Sequence, residues 1–353
     1  MNYFRSAIAK IQGYTPGEQP KPGTPVIKLN TNENPYPPSP RALEVLHNLD
    51  SEWLRRYPDP YARDFCSAVS EALDIPANWI IVTNGSDDLL NILIRACAEG
   101  KERKVVYPMP TYVLYRTLSA LQSAEVVEID YAKDYRLPID ELVAADGAVT
   151  LIATPNSPSG HIVPLEDLRT LASQVSGILA IDEAYVDFAD CSALSLVEEF
   201  DNVIILRTLS KGYSLAGLRL GFGIANPKLL SNLFKVKDSY NVDAIAILVG
   251  TAAIRDREYK NSCAEKVKRS RSRLKKDLEQ IGFNVRDSQG NFLLTTPPGD
   301  RAASIYQYLK KNNILVRYFN LPGLKDKLRI TIGTDIQNDK LLQMLVSYTR
   351  NNI

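Results

Sequence analysis

Lys211 stands just beyond an apolar run: NVIILRTLSKGYSLAGLRLGFG places Ser210, Lys211 and Arg219 after what reads as a buried strand. In open α/β sheets ligands bind beyond the carboxyl ends of the strands. Taken alone, such a lysine reads as a surface residue; its company changes that. The run GILAID ends in Asp182, with Glu183, Ala184 and Tyr185 following, so a carboxylate and a phenol arrive at the same sheet edge. A carboxylate there is costly to bury unless a cation or a hydrogen-bond donor meets it. A pyridine nitrogen is such a partner. Kept protonated by a carboxylate, the ring can accept electrons from a substrate carbanion, which is the chemistry of pyridoxal phosphate.

The remaining parts of that cofactor find candidates too. Tyr185 could donate to the ring's phenolate oxygen from one side, and Asn156, in the loop ATPNSPSG, from the other. Tyr112 in YPMPTYVLY follows a strand and could stack on the ring. In TNGSDDLLNIL the residues Asn84, Gly85 and Ser86 join a strand to an apolar helix. The N–H groups of a helix start favour an anion such as the cofactor's phosphate. Ser210 and the guanidinium of Arg219 would complete the cradle. Neither GxxxxGK[ST] nor GxGxxG occurs, which argues against a nucleotide in this place.

These residues need a scaffold, and its pattern is legible. The first forty residues, rich in Pro and Gly, read as an extended arm. From about residue 60, Phe65, Val69 and Leu73 recur at helical spacing. Short apolar strands (WIIVT, KVVYP, AEVVEID, VTLIAT, GILAID, NVIILRT, LRLGFGIA) then alternate with helical segments. That alternation predicts an α/β fold whose large domain has a mainly parallel sheet covered by helices on both faces. After about residue 235 a long charged helical stretch and the strands FNVR, NFLLTT, ILVRYF and LRITIG predict a smaller α+β domain. The expected division is an arm over 1–35, a large cofactor-binding domain over 36–240 and a small domain over 241–353.

Composition narrows the classes. The 353 residues, 45% hydrophobic and 24% charged with net charge +1, describe an ordinary globular chain with no implied nucleic-acid partner. The basic run from Lys266 to Lys276 is flanked by Glu265, Asp277 and Glu279 and reads as a solvated helix face. No apolar run approaches the roughly 20 residues of a membrane span. The start, MNYFRSAIAKIQGY, has no signal-peptide core, so a cytoplasmic location is the expectation. Cys66, Cys97, Cys191 and Cys263 are far apart and read as buried small hydrophobes, and the two histidines, His47 and His161, as ordinary surface or loop residues. Metal catalysis is not expected.

With these residues in place, the chain resembles the fold-type I pyridoxal-phosphate aminotransferases of the class II subgroup and, within them, the branch that acts on histidinol phosphate. The resemblance spans nearly the whole chain. It rests on Asn32-Glu33-Asn34-Pro35, Arg56-Tyr57-Pro58-Asp59, Asn84-Gly85-Ser86, Pro155-Asn156 with Pro158 and Gly160, Asp182-Glu183-Ala184-Tyr185, Ser210-Lys211 with Arg219, and Arg329 in LRITIGT. It implies that Lys211 carries the cofactor as a Schiff base, that Asp182 meets the pyridine nitrogen, that Tyr185 and Asn156 hold the ring oxygen, and that Tyr112 stacks. It further implies Gly85, Ser86, Asp87, Ser210 and Arg219 around the phosphate. Tyr57 would reach that phosphate from the neighbouring subunit of a homodimer. Arg329, with Arg317 and Tyr14, would bind the substrate's acidic group.

The sequence departs from the family's usual pattern at Tyr36-Pro37-Pro38-Ser39-Pro40, where Tyr-Gly-Pro-Ser-Pro is common. It departs again at Thr154-Pro155-Asn156-Ser157-Pro158-Ser159-Gly160, where Asn-Pro-Asn-Asn-Pro-Thr-Gly is common. The expected reaction exchanges an amino group between L-histidinol phosphate and 2-oxoglutarate in histidine biosynthesis. Alternatives on the same scaffold are an aromatic amino-acid aminotransferase and a threonine-phosphate decarboxylase. A regulator that senses the cofactor would need an amino-terminal DNA-binding domain ahead of the motif region.

Overall fold

A computed structural model describes residues 3–11, 13, 17–21 and 23–351. Strand β1 (Ile27–Leu29) lies in the arm. It is followed by β2 (Ile80–Thr83), β3 (Val105–Met109), β4 (Val126–Asp130), β5 (Val149–Ala153), β6 (Ile178–Asp182), β7 (Val203–Thr208) and β8 (Gly221–Ala225). These last seven form one sheet in the order β2-β8-β7-β6-β5-β3-β4. Strand β8 is antiparallel to both its neighbours, and every other pairing in that sheet is parallel.

The apolar runs are continuous because both faces of this sheet are buried. In β7, Val203 and Ile205 face one core, shared with Phe65, Val69 and Leu171. Ile204 and Leu206 face the other, shared with Leu89, Leu93 and Leu118. Side chains alternate along a strand, so a run without polar interruptions can satisfy both cores at once.

Helix boundaries follow local chemistry. Helix Pro40–His47 starts with proline in its first turn, and Ser39 Oγ accepts from Arg41 N. Helix Pro227–Val236 repeats the device with Asn226. Helix Ala244–Arg255 is capped by Asp243 and is apolar on most of its circumference, with Ala246, Ile247, Val249 and Ile254 buried. The expectation of charged helical stretches from about residue 235 is corrected here. A helix buried on nearly all sides carries no polar stripe, so it lacks the signature of a surface helix. The charged stretch forms the 24-residue helix Arg257–Gln280, whose Val267, Leu274 and Leu278 line one buried stripe.

The second sheet contains β9 (Asn284–Val285), β10 (Phe292–Thr296), β11 (Ile314–Tyr318) and β12 (Leu328–Thr331). Its order is β1-β11-β12-β10-β9, with β1 parallel to β11 and the other pairings antiparallel. Within the arm, Ile27–Leu29 is extended as expected and supplies the edge strand of this sheet, whereas Ser6–Lys10 is helical, contrary to the sequence reading. Helix Ser6–Lys10 lies ahead of its Pro-rich part. Among the described residues no helix is long and apolar enough to cross a membrane, and no group of side chains could hold a metal ion. Of the cysteines, Cys66 and Cys263 are buried, but Cys191 is exposed, contrary to the sequence reading.

Candidate active site

The carboxyl ends of β2, β3, β5, β6 and β7 share one edge of the large sheet. Strand β8, running the other way, begins there, which is why Arg219 arrives at the same edge from the opposite chain direction. A cavity of about 350 Å³ opens along this edge, walled on its other side by Asn30, Thr31, Asn32 and Glu33 of the arm and by Arg317, Phe319 and Arg329 of the small sheet. The sequence-derived residues Ser86, Asp87, Tyr112, Asp182, Tyr185, Ser210, Lys211, Arg219, Arg317 and Arg329 all line it.

Lys211 Nζ donates to Thr31 O at 3.2 Å and lies 5.9 Å from the centroid of the Tyr185 ring. Its backbone is held from the arm, since Asn34 Nδ2 donates to the carbonyls of Lys211 and Gly212 at 3.1 and 3.2 Å. Asp182 is buried, and its two partners are neutral: Tyr115 OH donates to Oδ2 at 2.8 Å and Ala184 N to Oδ1 at 3.0 Å. Burial pushes its carboxyl up to about 6, although both hydrogen bonds pull the other way. A buried carboxylate in that state, facing a cavity, fits a cationic partner. Tyr115 was not read from the sequence, although it lies one helical turn after Tyr112 and its ring meets that of Tyr112 edge-on at 5.7 Å.

Ser210, Arg219 and the start of helix Ser86–Cys97 lie together at this edge. Gly85, at φ +83°, is the N-cap of helix Ser86–Cys97, and Ser86 is its first helical residue. Asp88 Oδ2 reaches back to accept from Asn84 N at 3.0 Å. Arg219 Nη1 donates to Ser210 Oγ at 3.3 Å, and Nη2 meets Asp87 Oδ2 at 3.3 Å. A Cβ built on Gly85 would come within 2.8 Å of Arg219 Nη2, and one on Gly221 within 2.5 Å of Ser86 N. The glycines keep this cradle open.

Asn156 and Tyr57 stand outside this cavity. Asn156 is fully buried and does not line the cavity. Its amide is already committed: Oδ1 accepts from Thr111 Oγ1 at 2.7 Å, and Nδ2 donates to Pro110 O at 3.0 Å and Ser159 Oγ at 2.7 Å. The cavity-facing residue of that loop is Ser157, whose Oγ accepts from Arg329 Nη1 at 2.9 Å. Tyr57 is 81% exposed and stacks on Tyr240 with centroids 4.5 Å apart, outside this cavity. Tyr14 lies outside the described residues.

His161 lies in a loop, one of the two places the sequence suggested, and is largely enclosed there. Its Nδ1 meets Ser159 Oγ at 2.7 Å, its ring packs on Tyr131 and Tyr135, and burial pushes its pKa down to about 4. Ser159 Oγ thus links the Asn156 amide, from which it accepts, to the largely enclosed imidazole. The pair thus braces the Asn156 loop from behind.

On the small sheet, Arg329 Nη2 donates to Asn30 O at 3.0 Å, and its guanidinium carbon lies 5.4 Å from the Phe292 ring centroid and 5.6 Å from that of Phe319. Arg317 lies 5.4 Å from the Phe319 centroid. Two guanidiniums thus share one wall of the cavity.

Residues 24–345 match the aminotransferase class I and II family. The histidinol-phosphate aminotransferase 1 of Trichormus variabilis is 64% identical over 98% of this chain and 98% of its own length. The histidinol-phosphate aminotransferase of Citrifermentans bemidjiense is 41% identical over 97% of each chain. Among solved structures, the histidinol-phosphate aminotransferase of Sinorhizobium meliloti in complex with pyridoxal 5′-phosphate superposes with a TM-score of 0.91 at 25% identity, covering 100% of this chain and 99% of that one.

Proposed function

The chain belongs to the family of class I and II aminotransferases, and we propose that it exchanges an amino group between L-histidinol phosphate and 2-oxoglutarate with pyridoxal 5′-phosphate as cofactor, in histidine biosynthesis. The observation that carries this reading is the meeting, in one cavity, of the Lys211 amine, the buried Asp182 carboxylate and the paired guanidiniums of Arg317 and Arg329. The identity of the chain to histidinol-phosphate aminotransferases favours that donor over an aromatic amino acid or threonine phosphate.

When bound, the cofactor supplies an electron-withdrawing ring that takes up the pair left on the substrate's α-carbon as its proton departs. The protein's residues do the rest. Lys211 would hold the cofactor at its carbonyl carbon, and its ε-amine, when free, is the group placed to move the substrate's α-proton. Asp182, its partners Tyr115 and Ala184 N–H being neutral, keeps the ring nitrogen protonated. Ser86, Asp87, Ser210 and Arg219 receive the phosphate at the start of helix Ser86–Cys97, with Gly85 allowing the approach. Tyr112 would pack on the ring, and Tyr185 would serve its phenolic oxygen. The cavity-facing hydroxyl of Ser157, in place of the Asn156 amide, would serve the other side of that oxygen.

Arg329 and Arg317 bind the phosphate of one substrate and a carboxylate of the other, which is why one wall can serve both half-reactions. We read Tyr57, with its exposed neighbours Trp53, Leu54, Tyr61 and Tyr240, as the face of a homodimer through which Tyr57 reaches the partner's phosphate site. A panel of amino donors with 2-oxoglutarate tests the substrate: glutamate formation should be fastest with histidinol phosphate. Faster turnover of phenylalanine or tyrosine, or carbon dioxide release from threonine phosphate, would overturn the assignment.

A further inference from the structure

We propose that Asn32 is a positioning residue that orients the hydroxyl of Tyr185, so that this phenol donates its proton into the cavity. The proposal rests on the reading that pyridoxal phosphate occupies that cavity with its ring oxygen at Tyr185. Asn32 is 1% exposed and sits at φ +56°, in the left-handed region that asparagine tolerates better than most residues. Its backbone is fixed from the small sheet: its N–H donates to Thr331 Oγ1 at 3.0 Å, and its carbonyl accepts from Asn291 Nδ2 at 2.9 Å. Its side chain bridges Thr331 and Tyr185, with Thr331 Oγ1 donating to Oδ1 at 3.0 Å and Nδ2 donating to Tyr185 OH at 2.8 Å.

The direction of this bridge is set by Thr331. That hydroxyl is buried and already accepts the Asn32 backbone N–H. Were the amide reversed, Thr331 would accept twice from Asn32 and its own proton would be left buried without a partner, a cost larger than the gain of an ordinary hydrogen bond. The Thr331 proton therefore selects Oδ1, and Nδ2 is left to face Tyr185. The phenol has one proton and two lone pairs. By filling a lone pair, Asn32 leaves the proton for the cavity that Tyr185 lines; a reversed amide would consume it. The Tyr185 ring cannot easily turn away, because it meets Phe292 edge-on at 5.0 Å.

A hydrogen bond donated to the ring oxygen stabilises its phenolate form and weakens the proton's hold on the conjugated nitrogen joined to Lys211. The readout is the pH midpoint of the visible absorbance of the holoenzyme, which needs no turnover. Asn32→Asp tolerates the same backbone but can only accept, so it draws the Tyr185 proton away from the cavity. The midpoint should rise in Asn32→Asp by about one unit more than the same change produces in a Tyr185→Phe background. The rise common to both backgrounds is the effect of the added charge.

Thr331→Val, which adds no charge, should shift the midpoint upward with Tyr185 present and not at all in the Tyr185→Phe background; Thr331→Ser should titrate like the unmodified protein. Equal shifts of Asn32→Asp in both backgrounds, or no shift in Thr331→Val, would overturn the proposal. If Asn32→Asp does not fold, the Thr331 pair decides alone. A protein that binds pyridoxal phosphate with no visible band at all would overturn the cofactor reading itself, and this proposal with it.

Discussion

Arg317 and Arg329 are register partners across the antiparallel pairing of β11 and β12. Like charges placed opposite each other on neighbouring strands repel, so the pair is costly until an anion lies between them. Arg329 is the more firmly held, by Ser157 Oγ and Asn30 O.

Removing either guanidinium should therefore weaken the binding of both acidic substrates. Arg329→Ala should raise KM for histidinol phosphate and for 2-oxoglutarate by roughly 10- to 100-fold, the range of a lost charge-assisted hydrogen bond. Arg317→Ala should do the same to a smaller degree. Steady-state kinetics with each substrate varied in turn makes the check, and binding of the cofactor should be unaffected.

Gly85→Ala should damage the phosphate cradle. The new Cβ would meet Arg219 Nη2 at 2.8 Å, and φ +83° is strained for alanine. The backbone penalty is about 1 kcal/mol or more. The dissociation constant of pyridoxal phosphate, measured by fluorescence titration, should rise at least tenfold, while Gly217→Ala, which meets nothing within 4 Å, should leave it unchanged.

The burial of Asp182 has a signature in the cofactor-free protein. Its carboxyl is raised from 3.8 to about 6, so the folded state holds this proton more tightly than the unfolded chain. Its contribution is favourable at low pH and is lost as pH rises from about 4 to about 6. Asp182→Asn abolishes that dependence. Its stability relative to the unmodified protein should climb between pH 4 and pH 7 by an amount on the order of 2 kcal/mol, measured by urea unfolding.

His161 should show the opposite slope. Burial lowers its pKa from 6.5 to about 4, so the unfolded chain takes up the proton first. Stability conferred by the neutral ring is complete above pH 6.5 and declines as pH falls toward 4. His161→Asn keeps a hydrogen-bonding partner for Ser159 but does not titrate. Its unfolding free energy should fall less steeply than that of the unmodified protein between pH 6.5 and 4.

Much of this was legible in the sequence, for identifiable reasons. Strands buried on both faces announce themselves as unbroken apolar runs, and their carboxyl ends delivered Asp182, Ser210 and Lys211 to one edge. Arg219 was recognised by its neighbours, although only the antiparallel β8 explains how it arrives there. Asn156 and Ser157 could not be told apart, because adjacent residues of a loop point to opposite sides and no periodicity says which faces the ligand. Tyr115 and Thr331 were silent because their importance lies in what they donate to, Asp182 and Asn32, across 67 and 299 residues of chain. Helix Ala244–Arg255 lacked the polar stripe by which a helix is usually read.

The central claim is that Lys211 is the residue that carries the cofactor. Reducing the holoenzyme with borohydride fixes the cofactor to whichever amine holds it, and peptide mass mapping locates the site. The phosphopyridoxyl mass should fall on the peptide containing Lys211, and Lys211→Ala should take up none. Modification of a different lysine, or stoichiometric labelling that survives in Lys211→Ala, would contradict the account.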